Sequence, residues 1–239
     1  GEVLESTDGL GVFVRPDSPI AQATGYNPSY PNVLGSPETV KGITMLLPIG
    51  TAQHFTALKW LEKLGLGITD VNIVNMDTAQ AYQALQAKQC DAVSLNVPTF
   101  FDAENDGMVQ VGNLADLGTR YVDMVVANRK AVEGQPELVQ KYIDCITEAC
   151  AALNADPDMA ADLFVEYLKE AGAETTRENC VSDLSRVNFI EQKDWKERSL
   201  GNFAKELGEF YINLGQLEPE LIDKFETNID SEFVDTYKK

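Results

Sequence analysis

From Lys41 to Pro98 three short apolar runs alternate with two stretches of helical period, and a polar cluster closes each run. The runs are Ile43–Leu47, Val71–Met76 and Ala92–Val97. Short, mostly apolar runs with helices between them predict parallel strands covered on both faces. The polar residues just past the strand ends are Gly50 to His54, Asn75 to Asp77, and Asn96 to Pro98. In an open α/β sheet the crevice beyond the carboxyl ends of the strands takes the ligand. This line of outlets is the candidate site.

A first helix is predicted over Ala52–Leu64, with Phe55, Leu58, Leu61 and Leu64 as its buried face and Gly65 as its stop. Thr51 holds the N-cap position, but His54 stands where a capping box needs Glu or Gln. The first-turn N–H groups are therefore expected to face the crevice partly unanswered, which makes an anion site. A tight turn with an ordinary cap explains the same residues, and both readings stay open. The second helix follows Asp77, with Gln80 placed to reach back, so it is expected to answer its own donors.

Upstream, Gly11–Arg15 reads as a strand ended by Pro16. The Pro- and Gly-rich residues 21–40 read as a surface loop, either a linker or an insertion over the cleft. Downstream, Phe100-Phe101-Asp102 leads into a loop at Asp106-Gly107, and Tyr121–Ala127 forms another strand. Asp123 lies near the start of that strand, either solvent-facing at its mouth or turned to a ligand cation. From Pro136 onward the chain is predicted helical. Leu138, Val139, Tyr142, Ile143, Ile146, Cys150 and Leu153 mark one apolar face, and Thr175 with Glu178 a capping box. Leu200 to Leu214 marks a last helix, stopped by Gly215.

The net charge of −19, from 38 acids against 19 bases, argues against nucleic acid or an anionic membrane as a partner. No apolar run approaches the length of a membrane span. The chain opens at Gly1-Glu2-Val3 without an initiator Met, which reads as a mature or trimmed form. Cys90, Cys145, Cys150 and Cys180 show no C-x-x-C spacing, and with a single histidine no zinc site is expected. Buried free thiols are the first reading of these cysteines and one disulfide to Cys180 the second. Phosphate-binding, dinucleotide, metalloprotease and nucleophile-elbow motifs are all missing, and no cofactor is called for. A Ser/His/Asp triad would have to use His54 on the first turn of a helix. Asp8, Asp77 and Asp123 cannot be placed as a hydrolytic carboxylate pair from sequence. The residues point to binding rather than catalysis.

Several linked blocks carry a family resemblance: Lys41-Gly42 before a strand, Pro48 to Phe55, Asp70 to Asn75, Ala84 to Ala92, Val97-Pro98, and Tyr121 to Ala127 followed by Gln135 to Val139. In that order they resemble ABC-transporter solute-binding proteins of the nitrate/sulfonate/taurine family, the taurine-binding proteins most of all. The likeness covers about Leu10 to Leu153 and is loose beyond. It implies an α/β type II periplasmic-binding-protein fold, a two-lobed clamshell with its cleft at the strand ends. The lobes would be residues 36–119, and residues 1–35 with 120–239. Family members carry a further βαβαβ segment ahead of the point where Gly1 stands, without which the first lobe would expose a sheet edge and an apolar face.

The resemblance also implies a role and a set of contacts. The role is an extracytoplasmic protein, periplasmic or lipid-anchored, that is a monomer and no enzyme. It would hand a small anionic or zwitterionic ligand, such as taurine or another alkanesulfonate, to a membrane permease. The Thr51-Ala52-Gln53-His54 turn matches the segment that holds the anionic end of the ligand. Asp8 matches an acid that faces the ligand ammonium in taurine binders, and Asp123 another acid of that region. Asn96 stands where relatives often have tryptophan. Asn75 and Pro98 complete the expected contacts. The alternatives are an enzyme on the same fold, as in thiamine-pyrimidine synthesis or desulfination, and a sensory domain.

Overall fold

A computed structural model describes residues 1–172 and 175–238. The strands are β1 (Glu2–Ser6), β2 (Leu10–Val14), β3 (Thr44–Leu47), β4 (Asn72–Asn75), β5 (Ala92–Asn96), β6 (Val109–Asn113), β7 (Tyr121–Met124) and β8 (Val187–Phe189). The helices of the first half are α1 (Pro19–Gln22), α2 (Pro37–Val40), α3 (Ala52–Lys63), α4 (Thr78–Gln86) and α5 (Thr99–Asn105). Those of the second half are α6 (Arg129–Gly134), α7 (Pro136–Ala155), α8 (Pro157–Glu170), α9 (Arg177–Leu184), α10 (Asn202–Asn213), α11 (Ile222–Thr227) and α12 (Glu232–Asp235). They fall into two compact units, one of Gly1–Ser6, Tyr121–Glu166 and Val187–Lys239, the other of Thr7–Arg120 and Tyr167–Arg186.

The larger unit, Thr7–Arg120 with Tyr167–Arg186, holds a five-stranded sheet in the order β4-β3-β5-β2-β6. β3 runs parallel to both β4 and β5, as the three apolar runs predicted, while β2 is antiparallel to β5 and β6. All five residues of β2 are buried. Strand periodicity sends alternate side chains to opposite faces. Val12, Val14, Met45 and Leu47 accordingly join Trp60 and Leu61 on one side, while Phe13, Leu46 and Val93 join Leu85 and Phe100 on the other. β4 departs from the expectation of a strand covered on both faces: it is the sheet edge, and three of its four residues are exposed.

One local reading is overturned. Residues 21–40 are not simply a surface loop: Val33 and Val40 are almost wholly buried, and the Leu34 carbonyl accepts from Trp60 Nε1 at 3.0 Å. Pro and Gly set the turns of this segment, but the apolar residues between them anchor it to the core. Phe100-Phe101-Asp102 lies within α5, with both rings buried against β2 and β5, and leads as expected into the turn at Asp106-Gly107.

The other unit carries the antiparallel sheet β7-β1-β8. β8 lies where an all-helical stretch was expected; three residues are too few to show a period. Arg198 spans Glu2 at 3.1 Å and Glu5 at 2.7 Å, which compensates the buried Glu2 carboxylate. α9 is capped by Thr176, not by Thr175, through its side chain and the Asn179 N–H. The apolar face of α7 is only partly covered. Ile143 and Cys150 are buried, while Leu138 and Tyr142 are more than half exposed and line an open apolar groove of about 800 Å³ with Val126 and Phe225. All four cysteines are free thiols; three are buried as expected, and Cys145 is exposed. Among the described residues no helix is long and apolar enough to cross a membrane.

Trp60 is fully buried, spends its N–H on Leu34, and meets the backbone at Gly112, where a Cβ would sit 3.0 Å from the ring. Trp60→Ala is expected to cost about 3–5 kcal/mol of stability, read as a lowered urea midpoint.

Candidate functional site

The outlets of β3, β4 and β5 meet through side chains rather than backbone. After β3 the chain turns at Gly50, whose φ of +80° is left-handed and favours glycine. Thr51 is the N-cap of α3 but makes no capping bond; its hydroxyl donates to the Pro48 carbonyl at 2.6 Å. The N–H groups of the first turn of α3 therefore receive no oxygen from Thr51. His54 reaches one residue past the N-cap, where Nδ1 accepts from the Gly50 N–H at 3.1 Å. The ring is buried, and burial holds its pKa below the usual value, so the imidazole is neutral with its proton on Nε2.

At the β4 outlet, Asn75 Oδ1 accepts from the Ile49 N–H at 2.9 Å and ties this end to the turn after β3. Asp77 caps α4 through the Ala79 N–H, so this helix answers a first-turn donor itself. At the β5 outlet, Asn96 Oδ1 accepts from Gln53 Nε2 at 2.9 Å, and the same nitrogen donates to Thr78 Oγ1 at 3.2 Å. Gln53 thus touches all three outlets from a buried position, and Ser94 Oγ holds its backbone carbonyl at 2.7 Å. Pro98 follows directly as the N-cap residue of α5.

Leu10 pairs with Asn96, so the segment Thr7-Asp8-Gly9 enters at the same sheet end. There Asp8 meets three groups that sequence reasoning missed: Asp183, Arg186 and Glu104. Arg186 Nε lies 3.8 Å from Asp8, and its Nη2 lies 3.9 Å from Glu104. Its guanidinium sits over the Phe100 and Phe101 rings, each centroid 5.2 Å away. Asp183 comes within 3.1 Å of where a Cβ at Gly9 would stand. Burial raises the carboxyl of Asp183 from the ordinary 3.8 to about 6, with Arg186 opposing and Asp8 adding to the shift. Burial likewise raises those of Asp8 and Glu104.

The structure therefore brings Asp8, Thr51, Ala52, Gln53, His54, Asn75, Asn96 and Pro98 to one end of one sheet. Asp123 belongs to the other unit, exposed on β7 beside Leu4. Nothing in the sequence announced Asp183 and Arg186, because the Thr7 N–H bonds to the Arg186 carbonyl across 179 residues of chain.

Residues 30–160, more than half the chain, match the family described as NMT1/THI5 like. The chain belongs to that family. A relative named an ABC transporter periplasmic binding protein, from Brachyspira hyodysenteriae, is 34% identical over 98% of this chain and 67% of its own length. The taurine-binding periplasmic protein of Escherichia coli is 24% identical over 67% of this chain and 47% of its own length. Among solved structures, the periplasmic aliphatic sulphonate binding protein SsuA of Escherichia coli superposes with a TM-score of 0.69 at 17% identity, covering 98% of this chain and 73% of SsuA. The desulfurization enzyme DSZB superposes at 0.61 and 17% identity, over 98% and 77% of the two chains. These superpositions establish the type II periplasmic-binding-protein fold for this NMT1/THI5-like chain.

The raised Asp183 carboxyl gives a signed pH dependence. Between about pH 4 and 6 the folded state keeps a proton that the unfolded chain has released, so this group lowers stability as pH rises. Asp183→Asn removes the effect, and relative to the variant the parent is expected to lose up to about 2–3 kcal/mol across that window. Urea unfolding of both proteins at pH 4, 5, 6 and 7 measures it.

Proposed function

We propose that this chain is the solute-binding component of an ABC importer, working outside the cytoplasm without catalysis. Its ligand is a small alkanesulfonate or a zwitterion such as taurine, which it delivers to a membrane permease. The observation that carries this reading is the arrangement of the outlets. An uncapped helix N-terminus stands after β3, and Asp8 with Asp183 stands beyond β5. β5 lies between β3 and β2, so the two ends are about two strand spacings apart, roughly 10 Å before side chains reach inward. An anion suits the first end and an ammonium the second. A simple nitrate ion would leave the carboxylates unused.

The likeness to DSZB favours an enzyme as the second reading. That reading needs a reactive Cys or His at the outlets. Cys90 lies before β5, at the opposite end, and burial pushes its thiol up to about 11. The single histidine is neutral, with Nδ1 engaged by Gly50. Both groups speak against nucleophilic chemistry.

A thermal-shift screen tests the proposal. Taurine or methanesulfonate is expected to raise the unfolding temperature in a concentration-dependent way, by about 2.7 kcal/mol of stabilisation at a hundred times Kd. A shift with pyrimidine precursors of thiamine, and none with any sulfonate, contradicts it.

A further inference from the structure

The pair of buried Gln53 and half-buried Asn96 has a direction that matters for the ligand, an inference that rests on the anion-binding reading above. Both N–H bonds of the Gln53 amide are committed, one to Thr78 Oγ1 and one to Asn96 Oδ1. Gln53 cannot drift, because α3 holds its backbone and Ser94 Oγ binds its carbonyl. Asn96 is fixed as well: β2 pairs with its backbone, and its own carbonyl accepts from Thr99 Oγ1 at 2.8 Å. An amide whose oxygen is engaged turns its nitrogen the other way. The Asn96 side chain is half-buried, and its Nδ2 makes no hydrogen bond among the described residues.

We infer that Gln53 is a positioning residue that sets the polarity of Asn96, so that Asn96 offers its N–H2 group to an anionic oxygen of the ligand, and that this pair selects sulfonates against cations of the same size. Asn96 touches the ligand; Gln53 acts through it. The reversed pair, with Asn96 donating to Gln53 Oε1, would present a carbonyl to the same spot and favour an ammonium instead. The choice between the two polarities decides which end of a zwitterion lies beneath β5.

Two variants separate the roles. Asn96→Asp keeps an acceptor for Gln53 but offers oxygen to the crevice. Gln53→Glu can only accept while ionised, and so turns Asn96 round. Hydrogen exchange of the side-chain amides, followed by NMR in the ligand-free protein, is the first measurement. Slow Gln53 NH₂ and fast Asn96 NH₂ are expected in the parent, with Asn96 becoming slow in Gln53→Glu. The opposite pattern in the parent overturns the inference. Titration with methanesulfonate is the second, with affinity expected to fall at least tenfold in both variants. Unchanged affinity in Asn96→Asp overturns the selective role. The exchange pattern needs no ligand, so a parent protein that binds no sulfonate overturns the functional reading separately, while exchange still decides the polarity of the pair.

Discussion

The antiparallel pairing of β2 with β5 is the constraint on which the larger unit depends. β3, β4 and β5 alone would form a small parallel sheet with β5 as an open edge. β2 closes that edge over five residue pairs, bonds β6 on its other side, and feeds apolar side chains to both faces of the sheet. Because it runs against β5, it starts where β5 ends. The turn that precedes it, with Asp8, is thereby delivered to the outlets of the parallel strands.

At those outlets polar groups satisfy one another before any ligand arrives. Buried polar atoms without partners are costly, and here each bond also fixes a direction. Gly50 is bound to His54, Ile49 to Asn75, and Asn96 and Thr78 to Gln53. What remains directed to solvent is a set of donors and carboxylates with little freedom to reorganise, which lowers the cost of ordering the site on binding. The bond from Gly50 also engages Nδ1 of the histidine at these outlets.

Much of this was legible in the sequence, and the failures have physical causes. β3 and β5 announced themselves because a strand covered on both faces must be a continuous apolar run, whereas the similar run of β4 did not tell that it forms an exposed edge. Residues 21–40 were misread because Pro and Gly report turns and say nothing of whether Val33 and Val40 among them are buried. Leu138 and Tyr142 kept the period of a buried helix face, yet they border an open groove; periodicity identifies an apolar face, not what covers it. Thr51, Gln53, Asn75 and Asn96 could be placed at one sheet end because strand outlets are fixed by the fold class. Asp183 and Arg186 were not, since they reach Asp8 only through a pairing between distant parts of the chain.

The most direct measurement of the central claim is a backbone-amide NMR titration of the protein with taurine. Saturable shifts are expected at residues 50–54, 75–78 and 96–97, with Asp8 and Gly9 moving in step. Shifts confined to Val126, Leu138, Tyr142 and the other residues of the apolar groove, with the strand outlets silent, would contradict it.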